Sequence, residues 1–200
     1  LFKVATATNA KSKAWKNKSF TWAQLVEKFT SAKVTEETYR EFISASKAEQ
    51  GIIKDVGAFI GGELLGNRRN KNNIGERSLL ALDIDFGESD FPDKFYGIIN
   101  CACIIHGTHK HNPKANVYRY RVIIPLSEPV DSEQYEAIAR KVAELTGIDL
   151  YDRTTFQPER CMFYPSVSRD VPFDFVDYSQ INDETLDVQK YLGYYEDWHD

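Results

Sequence analysis

Hydrophobic and polar positions along this chain follow two periods in turn, and the switches between them mark out the elements. Trp22, Leu25, Val26 and Phe29 recur at helical spacing, and Thr21 with Gln24 three residues on is a capping-box signal, so TWAQLVEKF is predicted to be a helix. TEETYREFISAS, opening at Thr35, predicts a second helix. KDVGAFIGGELLGNRRNKNN reads as a strand from Ala58 to Leu64 that runs into a basic loop with Gly66-Asn67 as its turn. From Ser78 the pattern is clearer. A strand at LLALDID (79–85) is followed by a short helix at PDKFYGII (92–99), with Pro92 at an early helical position. Strands at CACIIHG (101–107) and RYRVIIPL (119–126) come next, separated by the polar loop THKHNPKANV. Asp131 and Gln134 cap a long amphipathic helix with Tyr135, Ile138, Val142 and Leu145 on one face, ended by Gly147. A last strand is predicted at RCMFYPS (160–166).

The order β-α-β-β-α-β predicts a mixed α/β (α+β) chain with a ferredoxin-like or RRM-like palm. Residues 1–76 are expected to form a small N-terminal α/β subdomain packed on that palm, and 77–170 the palm itself. In this arrangement the first palm strand is central and the strand ending at Gly107 lies at the far edge, beside the last one. Residues 171–200 read as an acidic helix or extended tail leading to a region downstream.

The strand at 79–85 contains two carboxylates where an apolar run should be buried. Period two puts Asp83 and Asp85 on one face and Leu82, Ile84 and Phe86 on the other, with Leu80 expected to keep the aspartates' side apolar deeper in the strand. Two carboxylates about 7 Å apart in apolar surroundings are costly unless a cation joins them. Magnesium or manganese, which take oxygen ligands and bridge to phosphates, answer that need better than a pair of solvated strand-end aspartates. In HGTHKHNPK three of the four histidines fall close together at a strand end, where a histidine can donate to a phosphate or ligate metal. Arg119 and Arg121, at period two, can share a face and meet a triphosphate. Asp152, just ahead of the last strand, can supply a third carboxylate, or serve as a turn former.

Composition narrows the class. At 200 residues and 42% hydrophobic the chain can bury a real core, and 13% aromatic content argues against disorder. No apolar run approaches the ~20 residues of a membrane helix, and no signal-peptide pattern precedes the first element. The start at Leu1 suggests a piece of a longer protein. Cys101, Cys103 and Cys161 make an odd count without CxxC spacing, which fits a reducing cytoplasm. Cys101 and Cys103 with His106, His109 and His111 form a less favoured zinc set; the cysteines read better as small hydrophobes in a strand. The net charge of −5 hides an asymmetry, because residues 171–200 hold eight acids against Lys190 and leave 1–170 at +2. Three basic clusters stand in that body: Lys3, Lys11, Lys13, Lys16 and Lys18; Arg68, Arg69, Lys71 and Arg77; Lys110, Lys114, Arg119 and Arg121. They permit a polyanionic ligand as well as ordinary solvated surface.

LDIDF, then GTHKH before RYRVIIPL, then YDRTTFQPERCMFYPS, in this order and spacing, resemble the archaeo-eukaryotic primase superfamily. The closer likeness is to the primase-polymerase domains of phages and other mobile elements, usually fused to a helicase, and it spans roughly residues 50–170. The resemblance implies that Asp83 and Asp85 match the family's hDhD motif and His109 its (S/G)xH motif, with Gly107 where many members carry Ser. It implies that Asp152 matches the third, hD motif, with Asp149 as the alternative acid. It further implies a DNA primase or DNA polymerase, a nucleotidyltransferase working on single-stranded DNA template. Asp83, Asp85 and Asp152 would hold two Mg²⁺ or Mn²⁺ ions at the α-phosphate of a nucleoside triphosphate. His109, Lys110, Arg119, Arg121, Arg160 and Ser166 would contact the nucleotide, and Arg68, Arg69 and Lys71 would track the template backbone. Single-stranded DNA, nucleotides and a helicase are the expected partners, with no membrane, in the cytoplasm.

Two rival readings predict different chemistry. His109-Lys110-His111 resembles the paired-histidine site of rolling-circle initiators and relaxases, with Tyr135 or Tyr151 as the nucleophile of a single-stranded DNA endonuclease. A non-catalytic RRM-like binding module would use no acids and would want stacking aromatics where Asp83 and Asp85 stand.

Overall fold

The computed structural model describes residues 1–196. The chain begins with β1 (Phe2–Ala7), β2 (Lys16–Phe20), α1 (Trp22–Phe29), β3 (Lys33–Val34), α2 (Tyr39–Ser44), α3 (Lys47–Ile53), β4 (Ala58–Ile60) and β5 (Gly62–Leu64). It continues with β6 (Ile74–Ile84), α4 (Phe91–Ile99), β7 (Ile104–Gly107), β8 (Tyr120–Val130) and α5 (Ser132–Thr146). The last elements are β9 (Met162–Phe163), β10 (Ser166–Val167), β11 (Phe175–Asp177) and α6 (Val188–Glu196).

Capping chemistry sets the helix starts. Thr21 and Gln24 form the expected reciprocal box on α1, and Asp131 with Gln134 does the same on α5. The second helix starts at Thr38, which pairs with Glu41, and not at Thr35. The Thr35 hydroxyl is already committed, lying 2.8 Å from Glu37 and 3.0 Å from the Val167 carbonyl. Leu145, expected on the buried face of α5, is 43% exposed, while Tyr135, Ile138 and Val142 are buried.

An antiparallel five-stranded sheet in the order β11-β7-β8-β6-β5 carries the palm, and a second sheet has the order β2-β1-β4-β9. A short parallel pair joins β3 to β10. The expected palm is present through β6, α4, β7, β8 and α5, with β8 between β6 and β7. Its last strand is placed differently. Met162–Phe163 pairs with β4 in the second sheet, and the place beside β6 goes to β5, from upstream in the chain. The cause lies at Gly61, where the expected 58–64 strand breaks. A Cβ there would sit 2.9 Å from the Leu79 carbonyl oxygen, and the Gly61 carbonyl accepts from the Ser78 and Leu79 N–H groups. The bare backbone thus docks on β6 and passes from one sheet to the other. β7 is correspondingly an inner strand between β8 and β11.

The palm sheet is covered on both faces. Leu80, Leu82 and Ile84 join Val122, Ile124, Tyr135, Ile138 and Val142 in the core under α4 and α5. Leu79 and Ala81 face the other way, against Val4, Leu25, Phe29, Phe59 and Met162. Leu79 and Ala81, and not Leu80, therefore continue the aspartates' face. The expected divisions at 76 and 170 are crossed by the packing. β5 belongs to the palm sheet, β9 to the N-terminal one, and β11 extends the palm edge. The acidic segment is no tail over its described length. Tyr178, Leu186, Val188 and Tyr191 are buried in the palm core, with Asp183, Glu184 and Asp187 at positions between them. Asp197 and Asp200 lie outside the described residues. Among the described residues no helix is long and apolar enough to cross a membrane.

Candidate active site

Where the cover over the sheet's second face ends, a cavity of about 250 Å³ opens, lined by Asp83, Asp85, His106, His109, Arg119, Arg121 and Asp152, among others. Cross-strand register builds its floor in two rows. Asp83 on β6 lies opposite Arg121 on β8, which lies opposite His106 on β7. One step along, Arg119 reaches Asp85, its Nη1 donating at 2.9 Å. The expectation that both arginines share the aspartates' face is met, and each takes one carboxylate.

The two pairs differ in character. Arg121 grips Asp83 through two nitrogens, Nε at 2.6 Å and Nη2 at 3.0 Å, in a nearly closed wall. Burial works to raise the Asp83 carboxyl, but the Arg121 guanidinium overcomes it and holds the group below the usual carboxylate range. Asp85 is half-exposed and held by a single nitrogen. Burial raises its carboxyl, Arg119 opposes this, and the neighbouring Asp152 and Asp83 charges push it further up.

Asp152 is brought in by backbone. Its N–H donates to the Asp83 carbonyl at 3.0 Å, Tyr151 bridges to Ile84, and the Thr155 hydroxyl accepts from the Asp83 N–H at 2.9 Å. Its side chain caps the turn at Thr154 and lies 3.5 Å from Arg160. Both readings of Asp152 thus describe it, as turn former and as third carboxylate of the wall. Asp149, the alternative, is exposed in the preceding turn and does not line the cavity.

The opposite wall carries Lys54, His109, Lys110, Arg160 and Ser166. His109 is fixed at both nitrogens, with Nδ1 2.8 Å from Ser166 Oγ and Nε2 3.0 Å from Glu37 Oε1, and Phe42 packs on its ring. Glu37 accepts only hydrogen bonds when ionised, so Nε2 carries the proton toward it. Burial lowers the His109 pKa, with Glu37 pulling the other way. Lys54, at the C-terminus of α3, and Lys110 are both lowered by burial and by neighbouring cations, Lys110 and Arg121 for the first and Arg119 for the second.

Lys54 and Glu37 were not read from the sequence as site residues, and His106 only as a member of the less favoured zinc set. Lys54 and Glu37 enter from elements whose placement depends on the second sheet, and nothing in their local pattern marks them. His106 is buried, its Nδ1 donating to the Gly107 carbonyl at 2.8 Å, while Nε2 has no hydrogen-bond partner among the described residues. Burial and Arg121 push its pKa down to about 3.

Other expected residues go elsewhere. Arg77 is no part of a basic surface: it is fully buried, its guanidinium 4.0 Å from the Tyr135 ring centre and donating to the Pro158 carbonyl. Arg69 is half-buried against Trp15 and donates to the Glu159 carbonyl, whereas Arg68 and Lys71 are exposed on the loop. Cys101 and Cys103 precede β7, packed in the palm core, and His106 and His109 are on the other face, so the five residues of the zinc set do not converge. His111 turns away from the cavity to Asp174 at 2.6 Å. Tyr135 and Tyr151 are buried in the palm core, their hydroxyls bonded to the Ala81 carbonyl and to Thr146. A paired-histidine nuclease with either tyrosine as nucleophile does not fit this arrangement.

The family model of the VapE N-terminal domain matches residues 1–200, the whole chain. The chain belongs to the VapE N-terminal domain family. No curated protein matches it. Among solved structures this VapE N-terminal domain is similar to the archaeo-eukaryotic primase domain of the cyanophage S-2L primase-polymerase. The match has a TM-score of 0.50 at 13% identity and covers 96% of this chain and 87% of the other. The expected primase-polymerase fold is thereby met.

Proposed function

We propose that this domain is a template-directed nucleotidyltransferase of the primase-polymerase kind, making or extending primers on single-stranded DNA. The observation that carries the reading is one cavity with a wall of three carboxylates, Asp83, Asp85 and Asp152, facing Lys54, Lys110 and Arg160, with Arg119 and Arg121 between. Acids on one side suit cations and a hydroxyl; bases on the other suit a triphosphate.

The carboxylates fit a divalent cation by their chemistry. They are hard oxygen donors, and the Asp85 carboxyl is raised by burial and by the Asp152 and Asp83 charges, an excess of negative potential that a cation relieves. Among the described residues no group of three or more acids, histidines or cysteines is arranged around an ion as it stands, because Arg119 and Arg121 hold two of the acids. Arg119, bound through one nitrogen, is the partner that can be exchanged. Asp83, Asp85 and Asp152 would hold Mg²⁺ or Mn²⁺, which supplies charge neutralisation at the reacting phosphate. The chain's own groups do the rest. Lys54, Lys110 and Arg160 bind the triphosphate, and Arg119, released from Asp85, gains a phosphate oxygen in exchange. Ser166 and His109 present a hydroxyl and ring held in one orientation by Glu37. A primer 3′-hydroxyl attacks the α-phosphate: its oxygen bonds to the phosphorus, the bond from that phosphorus to the α–β bridging oxygen breaks, the hydroxyl proton passes to water, and pyrophosphate leaves with its charge neutralised by Lys54, Lys110 and Arg160. The activity implies a cytoplasmic setting and a helicase as functional neighbour.

Labelled nucleotide incorporation on single-stranded DNA, with and without primer and with Mg²⁺ or Mn²⁺, tests the reading. Wild type extends and Asp85→Asn does not; failure of the wild type on every template and metal overturns it.

A further inference from the structure

Beside the cavity lies a groove of about 460 Å³, lined by Lys11, Lys47, Gly51, Ile52, Asp55 and Phe163 among others. Phe163 lines both the groove and the cavity, so the two spaces share a wall. One short helix serves both. Lys47, Gly51 and Ile52 follow helical spacing on the groove face of α3, and Lys54 at its end faces the cavity, its ammonium 5.5 Å from the Phe163 ring centre. The opposite side of α3 is tied down by Gln50, which is buried and donates to the Ala45 carbonyl at 3.1 Å.

The groove's chemistry has two parts. Lys11 and Lys47 are exposed cations at its rim. Ile52, 74% exposed, and the Phe163 ring present an apolar surface between them. Asp55 opposes the lysines in charge, but its Oδ2 is engaged by the Ala10 N–H at 2.9 Å, while its buried Oδ1 has no partner among the described residues. Two exposed lysines beside an apolar surface are what a single nucleic-acid strand fits: phosphates to the lysines, base faces to the apolar side chains.

We propose that this groove seats the single-stranded template next to the cavity, with its backbone along Lys11 and Lys47 and its bases against Ile52 and Phe163. The inference rests on the polymerase reading and adds to it the route of the strand, which the sequence pattern assigned to Arg68, Arg69 and Lys71. Gly51 makes it testable, because a Cβ at that position meets nothing within 4 Å. A large side chain there starts from open space on the groove face.

The experiment measures anisotropy of a labelled single-stranded oligonucleotide and, separately, binding of a labelled nucleoside triphosphate to the full chain. The variants are Gly51→Phe and the double variant Lys11→Glu/Lys47→Glu. Both are expected to weaken strand binding by roughly tenfold or more. The double variant also flattens the log–log salt dependence by about 0.7 per lysine removed. In Gly51→Phe, which changes no charge, triphosphate affinity and thermal midpoint stay at wild-type values; the double variant keeps the thermal midpoint. Strand affinity unchanged in both variants, or no strand binding by the wild type, overturns the groove assignment. A wild type that binds the strand through the groove yet incorporates no nucleotide overturns the polymerase reading and leaves the groove standing.

Discussion

Asp83 and Arg121 lock each other in a wall almost closed to water, and Asp85 and Arg119 meet at its open rim, so the same substitution has opposite consequences at the two acids. Asp83→Asn leaves a buried guanidinium without its counter-charge and is expected to cost about 3–5 kcal/mol, read by urea unfolding. Asp85→Asn removes a rim pair worth about 1 kcal/mol or less. It is expected to lower nucleotide incorporation by roughly 10³-fold with the fold intact, since several kcal/mol of transition-state charge stabilisation go with it. His106 gives a pH prediction. Its native pKa of about 3 lies below the unfolded value of 6.5. Between those values the unfolded chain takes up a proton that the native site refuses, so stability falls as pH drops. The slope from this one group approaches about 1.4 kcal/mol per pH unit. His106→Gln should show a shallower acid loss in urea titrations between pH 7 and pH 4; an equal loss would mean His106 is protonated in the native state.

At the scale of elements, the loop after β7 depends on a missing side chain. Gly107 stands where related motifs carry Ser, and a Cβ there would lie 2.8 Å from the His111 ring. That ring cannot give way cheaply, because Nδ1 accepts from the Arg119 N–H at 3.1 Å and Nε2 meets Asp174. Gly107→Ser is therefore expected to cost about 1–3 kcal/mol in overpacking, and to weaken triphosphate binding by shifting His109 and Lys110; calorimetric melting and a nucleotide titration check both. The departure from the family's motif is thus matched by the neighbour that fills the space. Asp83, Asp85, Arg119 and Arg121 were legible in the sequence because period two is a local rule, and β6 and β8 are long enough to obey it. The destination of Met162–Phe163 was not. A two-residue strand has no period of its own, and its partner β4 is about a hundred positions away. Lys54 and Glu37 were hidden for the same reason, since each reaches the site only through contacts that span the chain.

For the molecule as a whole, the acidic, base-poor stretch that begins at Val171 is structural. Ending the chain at residue 170 would strip β11 from the palm edge and remove Tyr178, Leu186, Val188 and Tyr191 from the core. Each large apolar side chain lost is worth about 1.5–3 kcal/mol, and their sum exceeds what a domain of this size has to spare. The truncated chain is expected to show no cooperative melting transition and rapid proteolysis; a sharp transition near the full-length midpoint would overturn this. The charge asymmetry seen in the sequence thus does not separate a body from an appendage.

The exchange of strands between the sheets also governs the order of assembly. β4 finds one neighbour in β1, within its own first third, but its other edge stays open until Met162 and Phe163 exist, and β3 waits for Ser166 and Val167. During synthesis the N-terminal sheet therefore keeps a bare edge from the emergence of β4 until Met162 and Phe163 are made, the kind of surface that pairs with the wrong chain. Such long-range closure places folding toward the slow, millisecond-to-second end of the range. The contacts that bring Arg160 and Ser166 to the acids form only after that edge is filled. A chain that has not yet reached them exposes its aspartates without the residues that would hold a nucleotide against them.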